Sequence, residues 1–154
     1  MKIRTSSEKE TEMIGTKIAN QLKEGDLILL EGELGSGKTF LTRSIGKALG
    51  IAERDITSPT FSIIQEYSGS LNLTHGDLYR LESWEACENL GIYDYFSQGS
   101  IIILEWAKRF ESFLPEDFLL ISIEATEESG RIFEFTPYGV EWRMRIEQWE
   151  KILF

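Results

Sequence analysis

Several things are scarce in this chain. Its 154 residues include one cysteine, Cys87, and one histidine, His75. A lone cysteine forms no internal disulfide, which excludes a disulfide-stapled secreted scaffold, suits a reducing compartment and leaves the role of a small buried hydrophobe. One histidine with one cysteine excludes a His-rich metal site and a Cys/His zinc site. Positive charge is also short: 16 Lys+Arg against 26 Asp+Glu give a formal net charge of −10. Such a chain repels a phosphodiester backbone and lacks the basic stripe that autonomous nucleic-acid binding needs, so any dealing with RNA or DNA is expected to be indirect. Long apolar runs are missing. The aliphatic stretches Leu27–Leu30 and Ile101–Leu104 fall far short of the ~20 residues that span a bilayer, and Met1–Glu10 holds no apolar signal region, so the expected location is cytoplasmic. The three prolines, Pro59, Pro115 and Pro137, sit at plausible segment boundaries, and no repeat, low-complexity tract or linker breaks the chain. One domain over 1–154 is the expectation.

What is present suffices for a core, because 42% hydrophobic and 12% aromatic residues can bury enough apolar surface to fold. Ser7 with Glu10 three residues later offers a capping box, and Ile14, Ile18 and Leu22 then share a helical face, which predicts a helix over about 8–24. Gly25-Asp26 signals a turn. Leu27–Leu30 and Ile101–Leu104 read as strands buried on both faces, and Thr39–Leu49 as a helix closed by Gly50. Alternating Phe61–Tyr67 and Leu71–Asp77, separated by Ser68-Gly69-Ser70, predict an antiparallel hairpin. Ser83–Asn89 reads as a short helix stopped by Gly91, Phe118–Glu124 as a strand, and Arg131–Thr136 as its partner. The end is helical: Trp142, Ile146, Trp149 and Leu153 make an apolar stripe best explained as core packing, with Glu141/Arg145 and Glu147/Lys151 as i,i+4 pairs on another face.

The chemistry is concentrated in Gly32-Glu33-Leu34-Gly35-Ser36-Gly37-Lys38-Thr39, which fits the phosphate-binding pattern G-x-x-x-x-G-K-[ST]. That pattern needs a buried strand to deliver the loop, glycines that let backbone N–H groups turn around phosphate oxygens, and a helix whose N-terminus faces the anion. Leu27–Leu30 and Thr39–Leu49 supply both flanks. Lys38 would reach the β and γ phosphates, and the Thr39 hydroxyl would sit on bound Mg²⁺. A second, carboxylate ligand is required, and two positions qualify. Glu105 ends a buried strand and would reach the same sheet edge as the loop; Asp77 ends the second hairpin strand, in His75-Gly76-Asp77-Leu78-Tyr79-Arg80. A solvated strand-end acid and a helix cap are the plainer readings of these two residues. Ser58-Pro59-Thr60-Phe61 reads equally as a nucleotide-sensing segment or as a turn that starts a strand.

These four motifs, with Glu105-Trp106 as the last, resemble in order and spacing the bacterial TsaE family, from about Thr11 through Trp106. The resemblance implies an α/β, single-domain P-loop NTPase fold: a central mixed, largely parallel sheet with an antiparallel hairpin and flanking helices. It implies ATP hydrolysis with Mg²⁺ in the making of threonylcarbamoyl-adenosine in tRNA, alongside subunits of TsaD and TsaB type that perform the transfer chemistry. At matching positions it implies that Glu33, Leu34, Gly35, Ser36, Gly37, Lys38, Thr39 and Phe40 wrap the ATP phosphates, that Thr11 contacts the nucleotide, and that Thr39 and Glu105 hold magnesium. Ser58–Phe61 corresponds to a first switch and Asp77 to the acid of a second, making Lys38, Asp77 and Glu105 the candidate catalytic residues. Trp106 follows the metal acid, as in that family. His75 gains no catalytic role from this, and Arg80 faces either phosphate or a neighbouring acid.

Competing classes have less support. A stand-alone small-molecule kinase shares the loop but needs an arginine-bearing lid, and the only close arginine pair, Arg143 and Arg145, lies in the amphipathic C-terminal helix. A GTPase needs [NT]-K-x-D, which Thr16-Lys17-Ile18-Ala19 fails at its last position. A module that binds nucleotide without turning it over is indistinguishable by sequence from a slow ATPase. The acidity is uneven: residues 1–81 hold 10 basic and 11 acidic side chains, residues 82–154 hold 6 and 15. The phosphate-binding half is nearly neutral, and the acidic half would repel tRNA or meet a basic partner face.

Overall fold

The computed structural model of the chain describes residues 1–59, 62–127 and 129–153. In chain order its elements are β1 (Lys2–Thr5), α1 (Glu8–Ala19), β2 (Leu27–Glu31), α2 (Lys38–Ala48), β3 (Ile64–Tyr67), β4 (Leu73–Asp77), α3 (Trp84–Asn89), α4 (Ile92–Phe96), β5 (Ile101–Glu105), β6 (Phe118–Ala125), β7 (Arg131–Tyr138) and α5 (Val140–Leu153). Short 3-10 turns cover Glu53–Asp55 and Lys108–Phe113. The strands form one seven-stranded sheet in the order β1-β7-β6-β2-β5-β4-β3. Its centre, β6-β2-β5-β4, is parallel, while β7, β1 and β3 are added antiparallel at the sides. This is the mixed, largely parallel sheet with a hairpin that the sequence predicts.

Burial on both faces explains why β2 and β5 are continuous aliphatic runs rather than alternating ones. Ile28, Leu30, Ile101 and Ile103 pack into the cluster shared with α1, α2 and α5. Leu27, Leu29, Ile102 and Leu104 face the opposite way, into a cluster with Trp84, Cys87, Ile92 and Phe110. Each such side chain contributes roughly 1.5–3 kcal/mol on leaving water, so the strand that delivers the glycine loop is among the firmest parts of the molecule. Cys87 is a buried free thiol, as expected of a small hydrophobe, and burial pushes it up from its ordinary pKa.

Boundaries depart from the sequence reading where local chemistry intervenes. Ser7 caps α1 by accepting from Glu10 N–H at 3.2 Å, while the Glu10 carboxylate accepts from Ser6 N–H at 2.7 Å. The helix stops at Ala19 rather than near residue 24, because Gln21 and Leu22 bond to Ile18 and Ala19 in a tightened final turn. β3 begins at Ile64, since Ile63 takes a left-handed φ of 56° that no extended strand accommodates. The hairpin partner begins at Leu73, and Phe61 lies outside the described residues. β7 runs on through Pro137, which is tolerated because β1 pairs only residues 131–134 and leaves that end of β7 flanked by β6 alone. α4 has no strong sequence signal and was not expected.

In α5, Trp142, Ile146 and Trp149 are buried, so the stripe is core packing; the side chain of Leu153 lies outside the described set. Arg145 differs from its reading as a surface partner of Glu141. Its guanidinium makes two bonds of 2.7 Å to the Asp26 carboxylate and lies 3.9 Å from the Trp142 ring centre, whereas Glu141 is 3.9 Å away. The sequence could not show this pair, because Asp26 and Arg145 meet only when α5 closes over the start of β2.

Candidate phosphate-binding site

The loop between β2 and α2 has the backbone that its glycines permit. Gly35 and Gly37 take φ values of 79° and 109°, and Gly37 serves as the residue before the first turn of α2. At Gly32 a side chain is impossible for a second reason: a Cβ would stand 2.5 Å from the Ile123 carbonyl and from Ser36 Oγ. Lys38 folds back over this turn. Its Nζ donates to the carbonyl oxygens of Gly32 at 2.6 Å and Glu33 at 2.9 Å, and it lies 4.7 Å from the Trp106 ring centre. The ammonium is thus held at the loop mouth by weak acceptors and a ring face, contacts that an anion with full charges would outcompete.

Parallel pairing decides which acids come to this mouth. β2 pairs with β5 so that Leu30 stands beside Glu105, and β5 pairs with β4 so that Glu105 stands beside Asp77. The Thr39 hydroxyl, one residue into α2, donates to Glu105 Oε1 at 3.4 Å. A hydroxyl and a carboxylate oxygen in contact are hard donors of the kind Mg²⁺ takes from protein while keeping water and phosphate oxygens for its other positions. Glu105 is 2% exposed, so it is not the solvated strand-end acid of the plainer reading. Asp77 is half-buried; its Oδ1 accepts from Tyr79 N–H at 2.9 Å. Burial pushes its carboxyl above the ordinary range, the Tyr79 bond opposes this, and the nearby Glu105 charge adds to it.

Lys38, Thr39, Asp77, Glu105 and Trp106 together line a cleft of about 200 Å³, with Leu34, Ser58 and Phe40 at its edges. Trp106 turns sharply after the acid, at φ 59°, and stacks at a tilt on Tyr79 with ring centres 5.0 Å apart. A non-glycine residue in that conformation, directly beside the cleft, is strain of the sort that persists at working sites. Pro59 and Arg80 line the adjoining groove with Ile63; Thr60 lies outside the described residues.

A second cleft of about 210 Å³ opens on the other side of the loop, where Thr11 and Phe40 meet Ser129 and Arg131. Thr11 is anchored by its hydroxyl contacts to Thr5 Oγ1 at 2.9 Å and Ser7 O at 3.2 Å. Arg131 donates from Nε to Ser36 O at 2.7 Å, bracing the loop from β7. Neither Ser129 nor Arg131 was singled out in the sequence, since only the β6–β7 return brings them back to the loop. The Arg143/Arg145 pair contributes nothing to either cleft: Arg145 is spent on Asp26. Among the described residues, no helix is long and apolar enough to cross a membrane.

A buried parallel strand, a left-handed glycine loop with its lysine, and a helix whose threonine meets a strand-end acid define the P-loop class of α/β proteins. The family model described as "Threonylcarbamoyl adenosine biosynthesis protein TsaE" matches residues 5–133, and the chain belongs to the TsaE family. It is 40% identical to the tRNA threonylcarbamoyladenosine biosynthesis protein TsaE of Bacillus subtilis (strain 168), over 96% of this chain and 92% of that protein. With the protein of the same description from Treponema pallidum (strain Nichols) it shares 35% identity over 85% and 96% of the two chains. The structure titled "Crystal structure of Bacillus subtilus YdiB" superposes with a TM-score of 0.82 at 35% identity, covering all of this chain and 96% of that one.

Proposed function

We propose that the chain, acting as one domain over 1–154, is a Mg²⁺-dependent ATPase of tRNA threonylcarbamoyladenosine biosynthesis, working in the cytoplasm with TsaD-type and TsaB-type subunits. The observation that carries this reading is the meeting of Thr39 and Glu105 beside Lys38 at the mouth of the loop. Backbone N–H groups from Glu33 to Phe40 cradle the phosphates, Lys38 exchanges its two carbonyl partners for the β and γ oxygens, and Thr39 with Glu105 holds the metal that neutralises charge there. Asp77, level with Glu105 and facing the same cleft, orients the attacking water. The second cleft, lined by Thr11, Phe40 and Arg131, takes the base. A magnesium ion held by Thr39 and Glu105 would supply charge stabilisation to the phosphates, and the chain supplies position. In this reading the chemistry on tRNA falls to the partner subunits.

Calorimetric titration of ATP with Mg²⁺ tests this. Lys38→Ala is expected to lose at least a factor of ten in affinity, which corresponds to about 1.4 kcal/mol. Equal binding by the variant would overturn the assignment of the loop.

A further inference from the structure

His75 is a fully buried polar side chain beside the site, at 0% exposure. Strand alternation puts it on the same face of β4 as Leu73 and Asp77, the face that α2 covers. Its partner across β5 is Ile103, so it lies one same-face step behind the level at which Asp77 stands beside Glu105. From there its Nε2 comes within 3.4 Å of Glu105 Oε1, the oxygen that Thr39 also approaches, yet neither ring nitrogen has a hydrogen-bond partner among the described residues. An unpartnered buried imidazole is costly, and an apolar side chain would fill the space without that cost. Packing therefore does not explain why this position is polar.

We propose that His75 is a positioning residue for Glu105. In the tautomer that carries its proton on Nε2, the ring donates to Oε1; rotation of the Glu105 carboxylate closes the 3.4 Å gap. Oε1 is then held by two donors, Thr39 and His75, and Oε2 is the oxygen left for a metal or its water. Outer-shell bonds of this kind fix the orientation of ligating carboxylates, and their loss typically lowers metal affinity 10–100-fold. The proposal rests on the reading of Glu105 as the metal-holding acid, and it assigns a purpose to a residue that the reaction itself does not use.

The test compares the full-length chain with His75→Phe, His75→Gln and Glu105→Gln. ADP binding is measured by calorimetry in EDTA and across a Mg²⁺ series, and Mn²⁺ binding to the ADP complex by electron paramagnetic resonance. His75→Phe is expected to raise the Mg²⁺ concentration for half-maximal effect by about 10–100-fold and to weaken Mn²⁺ binding in step, with ADP affinity in EDTA unchanged. His75→Gln, whose amide restores a donor, recovers most of the shift. A merely structural histidine would instead weaken ADP binding equally with and without metal, and that result overturns the proposal. So does an unchanged metal requirement in His75→Phe when Glu105→Gln shifts it; the reading of Glu105 then survives alone. An unchanged requirement in Glu105→Gln removes that reading and this inference with it. If His75→Phe does not fold, His75→Leu carries the same comparison.

Discussion

Phe40 follows Thr39 directly on α2; both line the first cleft, and one helical residue of rotation lets Phe40 border the second cleft as well. Thr39 meets Glu105, while Phe40 joins Thr11 and Arg131 on the far side of the loop. The two should therefore affect different parts of a nucleotide. Base–aromatic stacking contributes about 1–3 kcal/mol, so Phe40→Ala should weaken ATP binding roughly 5- to 150-fold and leave the affinity for inorganic tripolyphosphate as it was. Competition titrations with the two ligands check this, and a parallel loss of both would place Phe40 on the phosphates instead. At this scale the legible residues were those with local signals: Lys38 and Thr39 inside an eight-residue pattern, Glu105 and Asp77 at the ends of apolar strands. His75, Ser129 and Arg131 carried no such signal, because their neighbours are set by register and by a hairpin return from elsewhere in the chain.

At the scale of elements, α1 and α2 approach so closely that one position is fixed by geometry alone. A Cβ on Gly15 would lie 2.4 Å from Ser44 Cβ and 3.2 Å from the Ser44 carbonyl carbon. Gly15→Ala should cost about 1–3 kcal/mol through overpacking, a drop in Tm of roughly 2–12 °C for a chain of this size. Ser44→Gly in the same chain should recover part of that loss, and calorimetric melts of the single and double variants measure it. Additive effects would show that the helices do not meet where the structure puts them. Periodicity made this pair of helices visible as elements, and the buried runs made β2 and β5 visible as central strands. Their contact was not legible, nor was the end of α1 at Ala19 inside the helix expected over about 8–24, because neither a helix crossing nor a tightened last turn has a period.

Over the whole molecule, the sheet order places the loop at the carboxyl ends of the parallel strands, where β2, β5 and β4 deliver Gly32, Glu105 and Asp77 together. The excess acid lies elsewhere, in residues 82–154, with Glu82, Glu85 and Glu88 exposed around α3. The half that would meet phosphate is close to neutral, and the acidic other half would disfavour contact with a phosphodiester backbone. The fold class and the family were legible from four motifs in order; the second cleft was not, since its far wall follows Trp106, where no motif remained. Whether this loop hydrolyses ATP for a modification complex is read from steady-state ATP turnover, measured with and without a TsaB/TsaD-type complex. Slow turnover by the chain alone, a marked rise in the mixture and loss of both in Lys38→Ala are expected. Equal turnover by Lys38→Ala, or efficient phosphoryl transfer to a small metabolite with no partner present, would contradict that role.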